Sequence, residues 1–255
     1  MKGRKMRNQT WKFCTAMMLA AFLAAGAVSA APYTILDDYI GGNPTHASYN
    51  GYDVIGVDSV FNLTKMEVEV GNGKLQVKIY GNYFDDIVNN SAGLYGTQMG
   101  DLFISTNGYT PYTPSASDTY LTGEQWEYAI ALDSHQAMSG NASLHAISDG
   151  DIKLSFVNGG IYRADQEVQF VPKSINAAKA TGKWEIGQNL DFLAIEILLP
   201  GEWAGYDSLG FHWAMTCAND VIEGGTPVPE PATMCLLGIG LIGLGGYGRR
   251  KLFKK

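Results

Sequence analysis

Carboxylates are the first residues in this chain whose types and spacing could do chemistry. Glycoside cleavage needs two of them, roughly 5 to 10 Å apart, with one raised in pKa to protonate the leaving oxygen. Glu67 and Glu69 sit on one face of an alternating segment, and Glu124 and Glu127 flank Trp126. Each pair has an ordinary reading. The first is the polar half of a strand facing water, and the second belongs to a turn and a strand's outer face. Histidines offer no better constellation, because His46, His135, His145 and His212 are scattered and no Ser or Cys elbow accompanies them. The three cysteines are Cys14, Cys217 and Cys235. Cys217 is the single one in the central region and reads as a small buried hydrophobe. No catalytic residue is assigned, and the chain is expected not to be an enzyme.

Binding chemistry has more to work with. Hard cations take oxygen ligands, and Asp37-Asp38, Asp85-Asp86, Asp149-Gly150-Asp151 and Asn219-Asp220 could each contribute to a loop site. Asp149, Asp151 and Asp220 are the candidate calcium ligands; otherwise no cofactor is expected. Sugar rings stack on exposed aromatic faces. Tyr109 and Tyr112, in the loop Tyr109-Thr110-Pro111-Tyr112, and Trp126 are the candidate platforms.

The chain has 255 residues and a formal net charge of −7, but the charge is segregated. Lys2, Arg4, Lys5, Arg7 and Lys12 stand at one end, and Arg249, Arg250, Lys251, Lys254 and Lys255 at the other. Between Ala31 and Val228 lie 24 acids and eight bases, a net charge of −16. Such a surface repels phosphate backbones, so nucleic acid is excluded as a partner. No GxGxxG fingerprint opens a helix after a strand and no Walker loop occurs, so nucleotide binding has no footing.

The elements that must position these groups are strands, because the middle of the chain has a period of two. Met66 to Val70 alternates, Gly71-Asn72-Gly73 turns, and Leu75 to Ile79 alternates back, a hairpin. A second hairpin is expected from Ile152 to Phe156 through Asn158-Gly159-Gly160 to Tyr162-Arg163. Further strands are expected near Val54 to Phe61, Leu102 to Ser105, Trp126 to Leu132, Val168 to Val171, Lys183 to Ile186, Phe192 to Leu198 and Gly210 to Thr216. Only Ile175 to Ala180 invites a helical turn. This pattern predicts an all-β domain, a two-sheet antiparallel sandwich of jelly-roll type, over residues 31–223.

The ends read as passage devices. Residues 1–30 join a basic stretch to the apolar run Phe13 to Val28 and end in Val28-Ser29-Ala30, a signal peptide cut by signal peptidase between Ala30 and Ala31. Residues 224–231 read as a linker holding Val228-Pro229-Glu230-Pro231. Residues 232–255 hold a 17-residue apolar, glycine-rich stretch, Ala232 to Gly248, and then a basic tail. As a helix that stretch is about 25 Å long, barely enough for the hydrocarbon core. Its cations, Arg249, Arg250 and Lys251 foremost, would stay cytoplasmic.

A Pro-Glu-Pro triplet, a short span and a basic tail together resemble the PEP-CTERM sorting signal of Gram-negative bacteria that make extracellular polysaccharide. The resemblance implies recognition by an exosortase, a membrane-embedded cysteine protease that cuts near the triplet and releases or transfers the protein to the surface. Gly210 to Gly224, with its His212-Trp213, Cys217 and Asn219-Asp220, resembles the closing strand of many such proteins. Gly100 to Ile104 resembles another recurrent segment. The expected role is a structural or adhesive part of the cell surface or biofilm matrix, with exopolysaccharide as a partner. A carbohydrate-binding module is the alternative, and a secreted polysaccharide hydrolase the third reading.

Overall fold

The β2–β3 hairpin is where the sequence dictates the structure most directly. In the computed structural model, β2 (Leu63–Gly71) and β3 (Lys74–Gly81) pair antiparallel, with Gly71 opposite Lys74. Asn72 and Gly73 take φ of 53° and 71°. Two successive positive φ values make the turn whose twist matches that of the strands. Residues 31–88, 96–148, 150–157, 160–172, 177–201, 203 and 206–227 are described.

The remaining strands are β1 (Tyr33–Leu36), β4 (Leu102–Ser105), β5 (Tyr128–Leu132), β6 (Ser139–Ala146), β7 (Ile152–Leu154), β8 (Glu167–Phe170), β9 (Ala180–Ile186), β10 (Phe192–Leu198), β11 (Ser208–Ala214) and β12 (Val221–Pro227). Ten of them form one antiparallel sheet in the order β1-β2-β3-β10-β9-β6-β5-β4-β11-β12. The all-β class is as expected, but the two-sheet sandwich is replaced by this single sheet. It curls until its edges β1 and β12 pack on each other, nearly closing a barrel. Gly224 makes that seam close, since a Cβ there would fall 2.5 Å from Ile35 Cγ2.

Alternation fills the interior. Met66 and Val68, Leu75, Val77 and Ile79, Leu193, Ile195 and Ile197, and Leu209, Phe211 and Trp213 belong to one buried cluster. Each such side chain removed from water contributes about 1.5 to 3 kcal/mol. A bulge between Leu63 and Lys65 lets Leu63 join Met66 in that cluster despite their odd spacing. Two short helices, α1 (Asp58–Phe61) and α2 (Tyr83–Val88), add Phe61, Tyr83 and Phe84 beside Trp213.

A second layer exists, but it is only two strands. β7 and β8 pair with each other, and β8 packs on β4, β5 and β11. Beneath them Phe103, Trp126, Ala129 and Phe170 form a separate buried cluster. Asp101, fully buried, ties the layers together. Its Oδ1 accepts from Leu132 N at 2.8 Å and meets His135 Nε2 at 2.9 Å, and its Oδ2 accepts from Phe170 N at 2.7 Å.

Three local expectations are corrected. Ile152 to Leu154 pairs with Glu167 to Phe170 instead of Tyr162-Arg163. Arg163 is drawn elsewhere because its fully buried guanidinium donates to the carbonyls of Gly41, Tyr52 and Asp53. Val54 to Phe61 ends in α1 instead of a strand, since Val57, Val60 and Phe61 have helical spacing. Gly224 to Pro227 is not linker but the end of β12, with Gly224 opposite Phe211 and Gly225 opposite Gly210. Of the helical stretch Ile175 to Ala180, residues 175 and 176 lie outside the described residues and Ala180 begins β9.

Candidate functional site

A cleft of about 510 Å³ opens at the barrel seam, lined by β1, by Asp38 and Tyr39 just after it, by the loop from Tyr109 to Ser115, and by Glu223 to Gly225 of β12. Its size falls within the range of roughly 300 to 1,000 Å³ usual for ligand sites. Four tyrosines, Tyr33, Tyr39, Tyr109 and Tyr112, and two acids, Asp38 and Glu223, share its wall. Gly225 lets the loop come close, since a Cβ there would meet Tyr109 Cβ at 2.6 Å. Glu124 and Glu127 hold the loop's base. Glu124 Oε2 accepts from Thr110 N at 2.6 Å, and Glu127 Oε2 accepts from Thr106 N at 2.8 Å. That is why these two acids, which stood beside Trp126 in sequence, are tethers and not a pair aimed into one cleft.

Glu223 is 5% exposed. Its Oε2 meets His212 Nδ1 at 2.8 Å, and His212 Nε2 meets the Glu167 carbonyl at 2.8 Å. Both ring nitrogens face acceptors, so both carry hydrogen. Burial pulls the His212 imidazole down, but the hydrogen bond to Glu223 and the charges of Glu167 and Glu223 outweigh it, leaving the ring pushed up to about 9. Burial likewise raises Glu167, to about 7, against the opposing pull of His212. Glu223 is raised by burial as well, with its bond to His212 opposing. Its second oxygen, Oε1, is buried. The Tyr109 phenol is raised by burial, by the charge of Glu223 and by a hydrogen bond to it, and that bond in turn opposes the rise of Glu223. Tyr39 is raised by burial, Glu223 and Asp118.

Two of the three candidate stacking residues line this cleft. Tyr112 is 41% exposed and Tyr109 half-buried. Trp126 is corrected: it is 7% exposed, donates from Nε1 to Glu167 Oε1 at 3.2 Å, and packs its ring 5.6 Å from His212. A ring held between two layers has no face for a ligand.

The candidate calcium acids fall in different surroundings. Asp149 lies outside the described residues. Asp151 is buried and accepts from Ser148 N at 3.0 Å. Asp220 instead meets Asp37 and Asp53, with one oxygen from each within 4.8 Å of the others, the one such trio among the described residues. These three could each offer a ligand oxygen to a hard cation. Asp37 is pushed up to about 8, first by burial and then by Asp53. Asp53 and Arg163 had no signal in the sequence, since the barrel alone brings them beside Asp220.

Other expectations fall where ordinary explanations put them. Glu67 faces outward, paired with Lys65 at 2.6 Å and accepting from Tyr80 OH at 2.9 Å. Cys217 is buried and free, its thiol pushed up to about 12 by burial. Asp38, Tyr33, Tyr39 and Glu223 had not been singled out as one site. Reading Gly224-Gly225 as linker hid Glu223. The signal available was the run Leu209 to Met215, apolar on both faces except His212, which marks a strand covered on both sides.

Comparison with known proteins supplies the deciding observation for the far end of the chain. A model of the PEP-CTERM protein-sorting motif matches residues 227–251. The chain carries a PEP-CTERM sorting motif. No curated protein and no solved structure matches the chain. The PEP-CTERM match begins at Pro227, which is also the last residue of β12, so the sorting tail continues directly from the strand that supplies Glu223. The PEP-CTERM motif implies sorting by an exosortase, with membrane passage to the cell surface. Val228, Pro229, Glu230, Pro231, Arg249, Arg250 and Lys251 lie outside the described residues, as does Ala30; Ala31 is exposed at the first described position. Among the described residues no helix is long and apolar enough to cross a membrane.

Proposed function

We propose that the exported domain is an adhesive surface protein that binds polysaccharide in the tyrosine-lined cleft at the barrel seam. The observation that carries this reading is the cleft wall itself, which four tyrosines share with two acids. Tyrosine offers a broad apolar face and a polar tip, the combination that stacks on a sugar ring while bonding its hydroxyls. Other concave surfaces are less suited. The groove along β3, β9 and β10 is lined by Lys74's neighbours Gln76 and Glu196 and by Lys183, whose polar groups bond one another or Asn141. The acid excess keeps the domain soluble outside the cell. Signal peptidase removes residues 1–30, and the exosortase processes the tail.

The test is retention of the full-length chain, held in detergent, on the producing cell's own exopolysaccharide. Tyr112→Ala should keep the wild-type melting temperature and lower retention about tenfold, the loss of one stacking partner worth about 1.4 kcal/mol. Unchanged retention of both Tyr112→Ala and Tyr109→Ala would remove the site. Hydrolysis is the second reading, favoured by one observation: Asp38 and Glu223 are two carboxylates on one cleft wall. Release of new reducing ends from the bound polymer would establish it in place of adhesion.

A further inference from the structure

We infer that the cleft admits glycans free of acidic groups and turns away polyuronates and sulfated chains, with Asp38 setting the choice. This rests on the glycan-binding reading above and adds the class of sugar.

Tyr33, Tyr39, Tyr109, Tyr112, Asp38 and Glu223 are the aromatic and ionisable residues on the cleft wall, and no Lys, Arg or His joins them among the described residues. A site that reads carboxylate or sulfate presents a guanidinium or ammonium to it. This wall presents neither. Its two acids have different duties. Glu223 is buried and engaged, bonded to His212 and to the Tyr109 hydroxyl, so it ties down the tip of a stacking ring. Asp38 is exposed, and its charge reaches the Tyr109 phenol, adding to the rise caused by burial, Glu223 and Asp118. It is therefore the charge that an incoming sugar meets.

A hexose hydroxyl donates to that carboxylate, whereas a hexuronate or a sulfate ester brings a like charge to it. At roughly 6 Å, in surroundings between a protein surface and bulk water, two like charges weaken binding about threefold to a hundredfold. Tyrosine faces act in the same direction, since the negative side of their quadrupole meets a stacked ring. The 24 acids against eight bases between Ala31 and Val228 add a long-range repulsion that salt screens.

Two hexamers separate the cases in titration calorimetry on the full-length chain, held in detergent with a chelator: β-1,4-linked glucose, and the same hexamer oxidised at every C6 to glucuronate. The glucose hexamer should bind at least about tenfold more tightly, and raising the salt should shrink that margin. Asp38→Asn should cut the margin at least about threefold by strengthening the glucuronate hexamer, while the glucose hexamer binds nearly as before. Glu185→Gln removes the same charge from an exposed position on β9, midway across the sheet from the seam, and should leave the margin in place. A margin that falls equally in both variants would overturn the assignment to Asp38 in favour of the field of the whole domain. Equal or tighter binding of the glucuronate hexamer to the wild-type chain would overturn the exclusion of acidic glycans while leaving glycan binding intact. Binding of neither hexamer would overturn glycan binding itself.

Discussion

His212 and Glu223 occupy directly opposed positions on β11 and β12, and their side chains meet at 2.8 Å across the strand pair. The pair sits under β8, where the histidine is fully buried and the glutamate nearly so. Its charge balance has a consequence. His212→Ala would leave the Glu223 carboxylate buried without its cation and should cost about 3 to 5 kcal/mol in urea unfolding. Replacing both residues with leucine should recover most of that loss, because no isolated charge remains. A single-variant loss below about 1 kcal/mol would contradict the ion pair.

Stability should fall as pH rises from 5 to 9. His212 moves from an ordinary 6.5 to about 9 on folding, so the folded state holds the extra proton between those values. Its contribution is complete below 6.5 and is lost through about 9. Glu167, raised from 4.5 to about 7, has the same sign: the folded state keeps a proton that the unfolded chain has released, and the advantage drains away as pH passes about 7. Glu223 is also raised. The lowered acids Glu67, Asp133 and Glu196 act below this window. Between pH 6 and 9 the loss should reach about 2 kcal/mol or more, read as a falling melting temperature in chelator-containing buffers. A flat or rising curve would contradict the buried His212 cation.

Asp101 should matter more than any exposed acid. Asp101→Ala strips acceptors from the buried amides of Leu132 and Phe170 together, and should cost about 3 kcal/mol or more. Asp101→Asn keeps one carbonyl acceptor and should cost less. Equal losses for the two variants, measured by chemical denaturation, would show that the side chain fills space without bridging the layers.

Strand identity was legible for most of the sheet but not for β1 (Tyr33–Leu36) or β6 (Ser139–Ala146), which had not been expected as strands. The β2–β3 hairpin followed from alternation and Asn72-Gly73, and β4 and β10 begin and end at the expected residues, Leu102–Ser105 and Phe192–Leu198. Strand order was not legible. β10 inserts beside β3, and β9 crosses to β6, pairings between segments far apart in sequence, and the same alternation suits a sandwich or a curled sheet. The site was half legible. Tyr109 and Tyr112 announced themselves as a turn rich in aromatics, whereas Tyr33, Tyr39 and Glu223 reach the cleft only because the two sheet edges meet. β12 resembled a linker because Gly224 and Gly225 are flexible in isolation; the close approaches of Ile35 and Tyr109 require them to lack side chains. Asp220 read as a loop ligand beside Asn219, and tertiary pairing sets it beside Asp37 and Asp53.

Intact-mass analysis of the protein recovered from the outer face of the producing cell tests export and sorting most directly. The account predicts a chain that starts at Ala31 and ends near Pro229 to Pro231, lacking the apolar stretch and basic tail. A full-length chain recovered from the cytosol, from Met1 to Lys255, would contradict it.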